Sequence, residues 1–101
     1  MINTQNKITK ISFLLVEEFS MIAFASALEP LRTANRISKK KLFEWEFLSL
    51  NNQKVFCSNG ISIDTQNLNE EKLQTDILFV CSGINIKDKI NKKSVSYTHL
   101  T

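Results

Sequence analysis

Two thiols, one imidazole and the adjacent carboxylates that follow the first apolar run are the side chains best placed to do chemistry in this sequence. The cysteines, Cys57 and Cys81, stand far apart with no CxxC or CxH spacing, and the single histidine is His99. Nucleophilic catalysis by cysteine needs a thiolate, and a thiolate needs a neighbouring base or a helix N-terminus to lower its pKa. No histidine lies near Cys81 in sequence, and His99 falls in a stretch without any regular pattern. Both cysteines therefore read as buried, unreactive thiols, neither a disulfide framework nor a metal site. Glu17 and Glu18 follow an apolar run. They suit either a cationic small molecule at a strand end or a solvated loop, and the solvated loop is the commoner use of paired acids. Arg32, Arg36 and Lys39 to Lys41 form a basic cluster with no interleaved aromatics, which favours a solvated helix end over a DNA-binding segment.

Regular elements must hold these groups, and the apolar pattern predicts them. ISFLLV (11–16) is a short, nearly continuous apolar run, as expected of a strand buried on both faces of a parallel sheet. Ser20 is a suitable N-cap for a helix whose stripe is Met21, Phe24, Ala25, Leu28 and Leu31. That helix should reach about Arg36, with a kink or break near Ser26 because Pro30 removes the partner of its carbonyl. The lysines that follow suit its negative end. FEWEFLSL (43–50) alternates Phe43, Trp45 and Phe47 against Glu44 and Glu46, a strand with one solvated face at its start. Residues 55–58 and 61–63 are strand-like pieces around the tight-turn pair Asn59-Gly60. Residues 67–74 suggest one or two helical turns capped by Asn67 or Asn69, and DILFV (76–80) is a second fully apolar strand ended by Cys81-Ser82-Gly83. Beyond this the pattern fades, with Ile84, Ile86 and Ile90 spread among polar residues. The order strand, helix, strand, hairpin, short helix, strand is that of an α/β domain.

Bulk properties bound the function. A chain of 101 residues is one domain at most, and 43% apolar with 23% charged residues is ordinary globular composition. The net charge of +3 comes from 13 basic residues interspersed with 10 acidic ones, which does not by itself imply nucleic acid. No apolar run approaches the ~20 residues of a membrane span, and the polar start offers no secretory core. A cytoplasmic location and no membrane partner are the expectation.

The stretch FLLVEEFSMIAFASALEPLRTANR (13–36) resembles the first strand and helix of the GlxA-like transcription regulators. The likeness continues through FEWEFLSL, CSNGISID (57–64) and DILFVCSG (76–83), covering roughly Ile8 to Ile86. In that family a class I glutamine amidotransferase-like domain of PfpI type precedes an AraC-type helix-turn-helix domain. The resemblance implies a flavodoxin-like, doubly wound sheet. Enzymes of the superfamily carry an acid in the first helix and a cysteine on a later elbow. The matching helix position here is Ala23, and the elbow would lie beyond residue 101. Cys81 matches instead the turn ending an earlier strand, where the enzymes usually place a proline before two glycines. What remains is a pocket rim of the kind open α/β sheets use for ligands. Its candidate members are Glu18, Phe19, Ser20 and Met21 after the first strand, with Ser82 and Gly83 after the later one.

The reading that joins these points is a non-catalytic ligand-sensing domain (1–93, partial) of an AraC-type regulator, followed by a patternless tail (94–101). It implies a small nitrogenous effector, a homodimer, and DNA contact only through a helix-turn-helix domain absent from the sequence. It implies no cofactor and no metal. The alternatives are a fragment of a PfpI-type hydrolase or amidase, and a binding module without any DNA-binding partner. One long helix cannot cover both faces of a doubly wound sheet, and SVSYTHLT (94–101) looks like translated adapter sequence, so the chain is expected to be a fragment.

Overall fold

A computed structural model of the chain describes residues 7–51, 53–82 and 96–100, the last five as backbone only. The first strand, β1 (Thr9–Leu15), is followed by the helix α1 (Met21–Ser38) and by β2 (Phe43–Ser49). The short strands β3 (Lys54–Phe56) and β4 (Ser62–Asp64) form an antiparallel hairpin. Then come β5 (Gln66–Asn67), β6 (Ile77–Cys81) and β7 (Ser96–Leu100). The main sheet is parallel throughout, in the order β5-β2-β1-β6-β7. With the two-residue β5 set aside, the core order 2-1-3-4 is that of flavodoxin-like sheets. The fold class is therefore the expected α/β one. The patternless C-terminal stretch nevertheless supplies a strand, with Ser96 opposite Ile77 and His99 opposite Val80.

β1 lies between β2 and β6, and its residues alternate between two separate cores. Ile11, Phe13 and Leu15 face α1, where they meet Phe19, Phe24, Val55, Cys57 and Cys81. Leu14 faces the other way, onto Leu48, Leu78 and Val80, with Leu68 and Leu73 of the β5–β6 connection lying against them. Phe24 carries the helix–sheet contact. Its ring stands edge-on to Phe13 at 5.4 Å, to Phe19 at 5.7 Å and to Phe47 at 5.5 Å. Such edge-to-face arrangements match the aromatic quadrupoles and add to the area buried.

α1 runs unbroken through Pro30 and two residues past Arg36. The expected break is absent because Ser26 and Pro30 both lie on the exposed side, where solvent can satisfy the Ser26 carbonyl. Asn35 fixes the helix end. Its Oδ1 accepts from the Leu42 and Phe43 N–H groups, its Nδ2 donates to the Phe43 carbonyl, and its own carbonyl accepts from Lys39, which turns into the left-handed region at φ 60°. The helical turns expected over 67–74 do not form. Asn67 belongs to β5, and Asn69 closes a turn by accepting from Glu71 N–H at 3.1 Å through its side chain and from Lys72 N–H at 3.0 Å through its carbonyl. A side chain that satisfies nearby backbone donors in this way competes with helix formation.

Replacing Phe24 by Ala removes the ring that joins helix and sheet. We expect a loss of about 3–5 kcal/mol, measured by chemical denaturation of the two proteins side by side. A midpoint unchanged by the substitution would place the helix–sheet contact elsewhere.

Candidate functional site

In a 2-1-3-4 sheet the strand order reverses beside the first strand, and the crevice outside the carboxyl ends of the strands flanking that point is where ligands bind. Here those strands are β1 and β6. Their ends are tied together by Val16 N–H donating to the Cys81 carbonyl at 3.0 Å. The β1–α1 loop and the residues after β6 therefore meet at one edge, as the candidate rim requires.

The loop has a defined shape. Glu18 sits at φ 71°, in the left-handed region that costs a non-glycine residue energy. Its N–H donates to the Phe56 carbonyl at 2.8 Å, and the neighbouring Glu17 carboxylate accepts from Phe56 N–H at 3.2 Å. The Phe19 carbonyl accepts from Ser58 N–H at 2.9 Å, beside a parallel bridge between Phe19 and Cys57. The β3–β4 hairpin is thus clamped to the loop by main-chain bonds. Gly60, at φ 93°, makes its tip, and nothing lies within 4 Å of where a Cβ would stand. The backbone angle alone demands glycine there.

Of the proposed rim residues, Glu18 is exposed and Met21 is half-buried. Ser20 is also half-buried, and its hydroxyl is engaged as the N-cap, accepting from Ala23 N–H at 3.2 Å. Ser82 is buried at the end of β6, and Gly83 lies outside the described residues. Phe19 does not line the rim. Its side chain is fully buried and turned into the helix-side core. Sequence patterns miss the hairpin's part in this edge, because apart from the Glu17 carboxylate its hydrogen bonds to the loop are main-chain bonds that carry no side-chain signal.

Cys81 is fully buried, and burial pushes its thiol up from 9.0 to about 12. Such a group remains a thiol at neutral pH and is no nucleophile. Cys57 is also buried, its Sγ hydrogen-bonded to Asn59 Oδ1, and both cysteines are free. Among the described residues no cluster of His, Cys, Asp and Glu could hold a metal ion, and no helix is long and apolar enough to cross a membrane.

No family model matches the chain. The HTH-type transcriptional regulator GbdR of Pseudomonas aeruginosa is 36% identical over 87 residues, or 86% of this chain and 24% of GbdR. The HTH-type transcriptional regulator GlxA of Rhizobium meliloti is 36% identical over 76 residues, covering 75% of this chain and 24% of GlxA. The crystal structure of an AraC family transcriptional regulator from Pseudomonas putida superposes with a TM-score of 0.70 at 32% identity, over 75% of this chain and 41% of that one. The chain belongs to the GlxA-like AraC-family regulators. It spans about a quarter of the length of the curated relatives it matches.

The buried thiol has two measurable consequences. Cys81 should resist a thiol reagent at pH 8 until the protein is denatured, and Cys81→Ala should cost on the order of 1 kcal/mol. Because the folded-state pKa is raised, the unfolded chain gives up this proton first. This contribution to stability is thus complete below about 9 and is lost as pH climbs towards about 12. Rapid labelling of Cys81 in the native protein would contradict both statements.

Proposed function

We propose that this chain is the ligand-sensing part of a transcription regulator, acting by binding and not by catalysis. The carrying observation is the edge where β1 and β6 end. It offers a shaped loop and a buried strand end, but the thiol at that strand end, Cys81, is protonated and enclosed. Membership of a regulator family supports the same reading. The effector would sit over Glu18, Ser20 and Met21 beside Ser82 and Gly83, with Phe19 as packing beneath them. An exposed carboxylate at that edge suits a small nitrogenous metabolite carrying positive charge.

Signalling then follows from linkage. A ligand that prefers one arrangement of two joined protomers shifts their equilibrium by the difference in its affinities for the two arrangements. On this reading the protein works as a homodimer in the cytoplasm, and sequence-specific DNA contact belongs to a helix-turn-helix domain. Residues 1–93 are the sensor part. The PfpI-type hydrolase alternative needs an acid where the chain has Ala23 and a nucleophile other than Cys81.

The test is a melting-temperature screen with small amines, amino acids and amides. A true effector present at about 100 times its Kd should add about 2.7 kcal/mol of stability. Glu18→Gln should reduce that gain without lowering the ligand-free melting temperature. Hydrolysis of an amide or ester by the wild-type chain that disappears in Cys81→Ala would overturn the non-catalytic reading.

A further inference from the structure

The edge opposite the candidate rim, where the strands begin, gathers positive charge from distant parts of the chain. Lys7 and Lys10 come from the start of β1, Arg36 from the last turn of α1, and Lys39, Lys40 and Lys41 from the link to β2. The parallel register sets Thr9 beside Phe43 and so brings these segments to one edge. Lys10 joins them physically. It lines one depression of about 430 Å³ with Lys41, and a second of about 450 Å³ with Lys7. All six side chains are exposed.

Carboxylates at this edge offset only part of that charge. Of these six, only Lys41 has an ion pair among the described residues, with Glu44 at 3.6 Å. Glu46 and Asp76 line the same depressions and keep their charge while accepting from the Ser12 hydroxyl and the Lys10 N–H, so with Glu44 three carboxylates stand against the six cations and the edge stays net positive. Arg32, one turn earlier on α1, is held by Glu29 and is not counted. Lys72 also lines the first depression but follows Glu70 and Glu71, and it too is left out.

We infer that this edge is a second, sequence-independent contact for the phosphate backbone of duplex DNA. Flexible, exposed lysines act as point charges towards phosphates, and they carry no sequence information without base contacts. Among the described residues no fully exposed aromatic interleaves with them, as stacking on single-stranded bases requires; Trp45, which lines the first depression with Lys10 and Lys41, is half-buried. The inference rests on the regulator reading, in that DNA is a partner of the whole protein. Such a contact would hold the sensor against the duplex and add to affinity at every sequence alike.

The test is anisotropy titration of the 101-residue chain with a fluorescein-labelled 20-base-pair duplex of arbitrary sequence, across a series of salt concentrations. Four to five phosphate contacts predict a log–log slope of about −4. The variant Lys39→Glu, Lys40→Glu, Lys41→Glu should weaken binding by roughly tenfold or more at low salt. The corresponding triple arginine variant should bind as the wild type does, and Lys54→Glu, on the hairpin at the other edge, should change little. Circular dichroism spectra that match across the variants separate loss of the contact from loss of the fold. Undetectable binding at low salt, equal affinity of the triple glutamate variant, or equal loss in Lys54→Glu each overturns the inference. Tighter binding to polyglutamate-coated beads than to the duplex overturns it in favour of an acidic protein partner. Sequence-specific promoter binding by a longer protein is unaffected by any of these outcomes, so the regulator reading stands or falls separately.

Discussion

The rest of the structure depends on one strand having no solvent side. β1 is paired on both edges and packed on both faces, with Phe13 and Leu14, adjacent in sequence, each fully buried in a different core. A strand in that position must be apolar almost without interruption, because nothing nearby could satisfy a stray charge. Within the buried part of the strand, residues 11–15, the exception is Ser12, 1% exposed, and it keeps its place by donating to Glu46 across the sheet at 2.7 Å. Deleting a large side chain from such a strand disturbs packing in a core that cannot relax towards water.

That central strand also decides where ligand chemistry can occur. Its neighbours β2 and β6 begin at one edge and end at the other, so every loop following a strand gathers at the same end. The loop after β1 must leave the sheet, rise to α1 and accept the hairpin within a few residues, and Glu18 in a left-handed conformation is how it turns. The same geometry encloses Cys81. As the last residue of β6 it faces the helix-side core beside Phe19, so the position that a sequence scan would first nominate for catalysis is among the driest in the chain.

Much of this architecture was legible in the residues, and what was not has identifiable causes. ISFLLV and DILFV announce two-faced burial, FEWEF announces a strand that meets the helix with its aromatic side, and Asn59-Gly60 marks the hairpin. Ser20 as the cap and Phe24 as a core residue follow from helical spacing alone. β5 and β7 were not legible. The first is two polar residues paired with the end of β2, and such a short edge strand leaves no periodic trace. The span 67–74 was misjudged because Asn69 can start either a helix or a tight turn, and the choice is made by Leu68 and Leu73 reaching for the second core. At the candidate site, Phe19 was placed on the rim when it faces inward. A loop has no period, so sequence spacing cannot say which of two neighbours turns towards the core.

The charges at the two ends of the sheet invite a purely structural account, and its magnitude can be weighed. α1 begins at the rim and ends at the lysines, so its dipole favours Glu17 and Glu18 before the N-terminus and Lys39 to Lys41 after the C-terminus. Each such charge contributes about 0.3–1 kcal/mol, and the effect falls away within one turn of the helix end. That accounts for Arg36 and the first of the lysines. It does not extend to Lys7 and Lys10, which enter from β1 and share depressions with Lys41 and with each other. Packing six cations on one edge raises their mutual repulsion, and helix capping offsets only part of that cost. The surplus is what an anionic surface could complete, whereas at the other end Glu17 is engaged by the backbone at Phe56 and Glu18 is exposed beside the point where the strand order reverses. The edge where the strands begin thus keeps a surplus of cations while the other carries Glu17 and Glu18, and α1, continuous through Pro30, runs from one to the other.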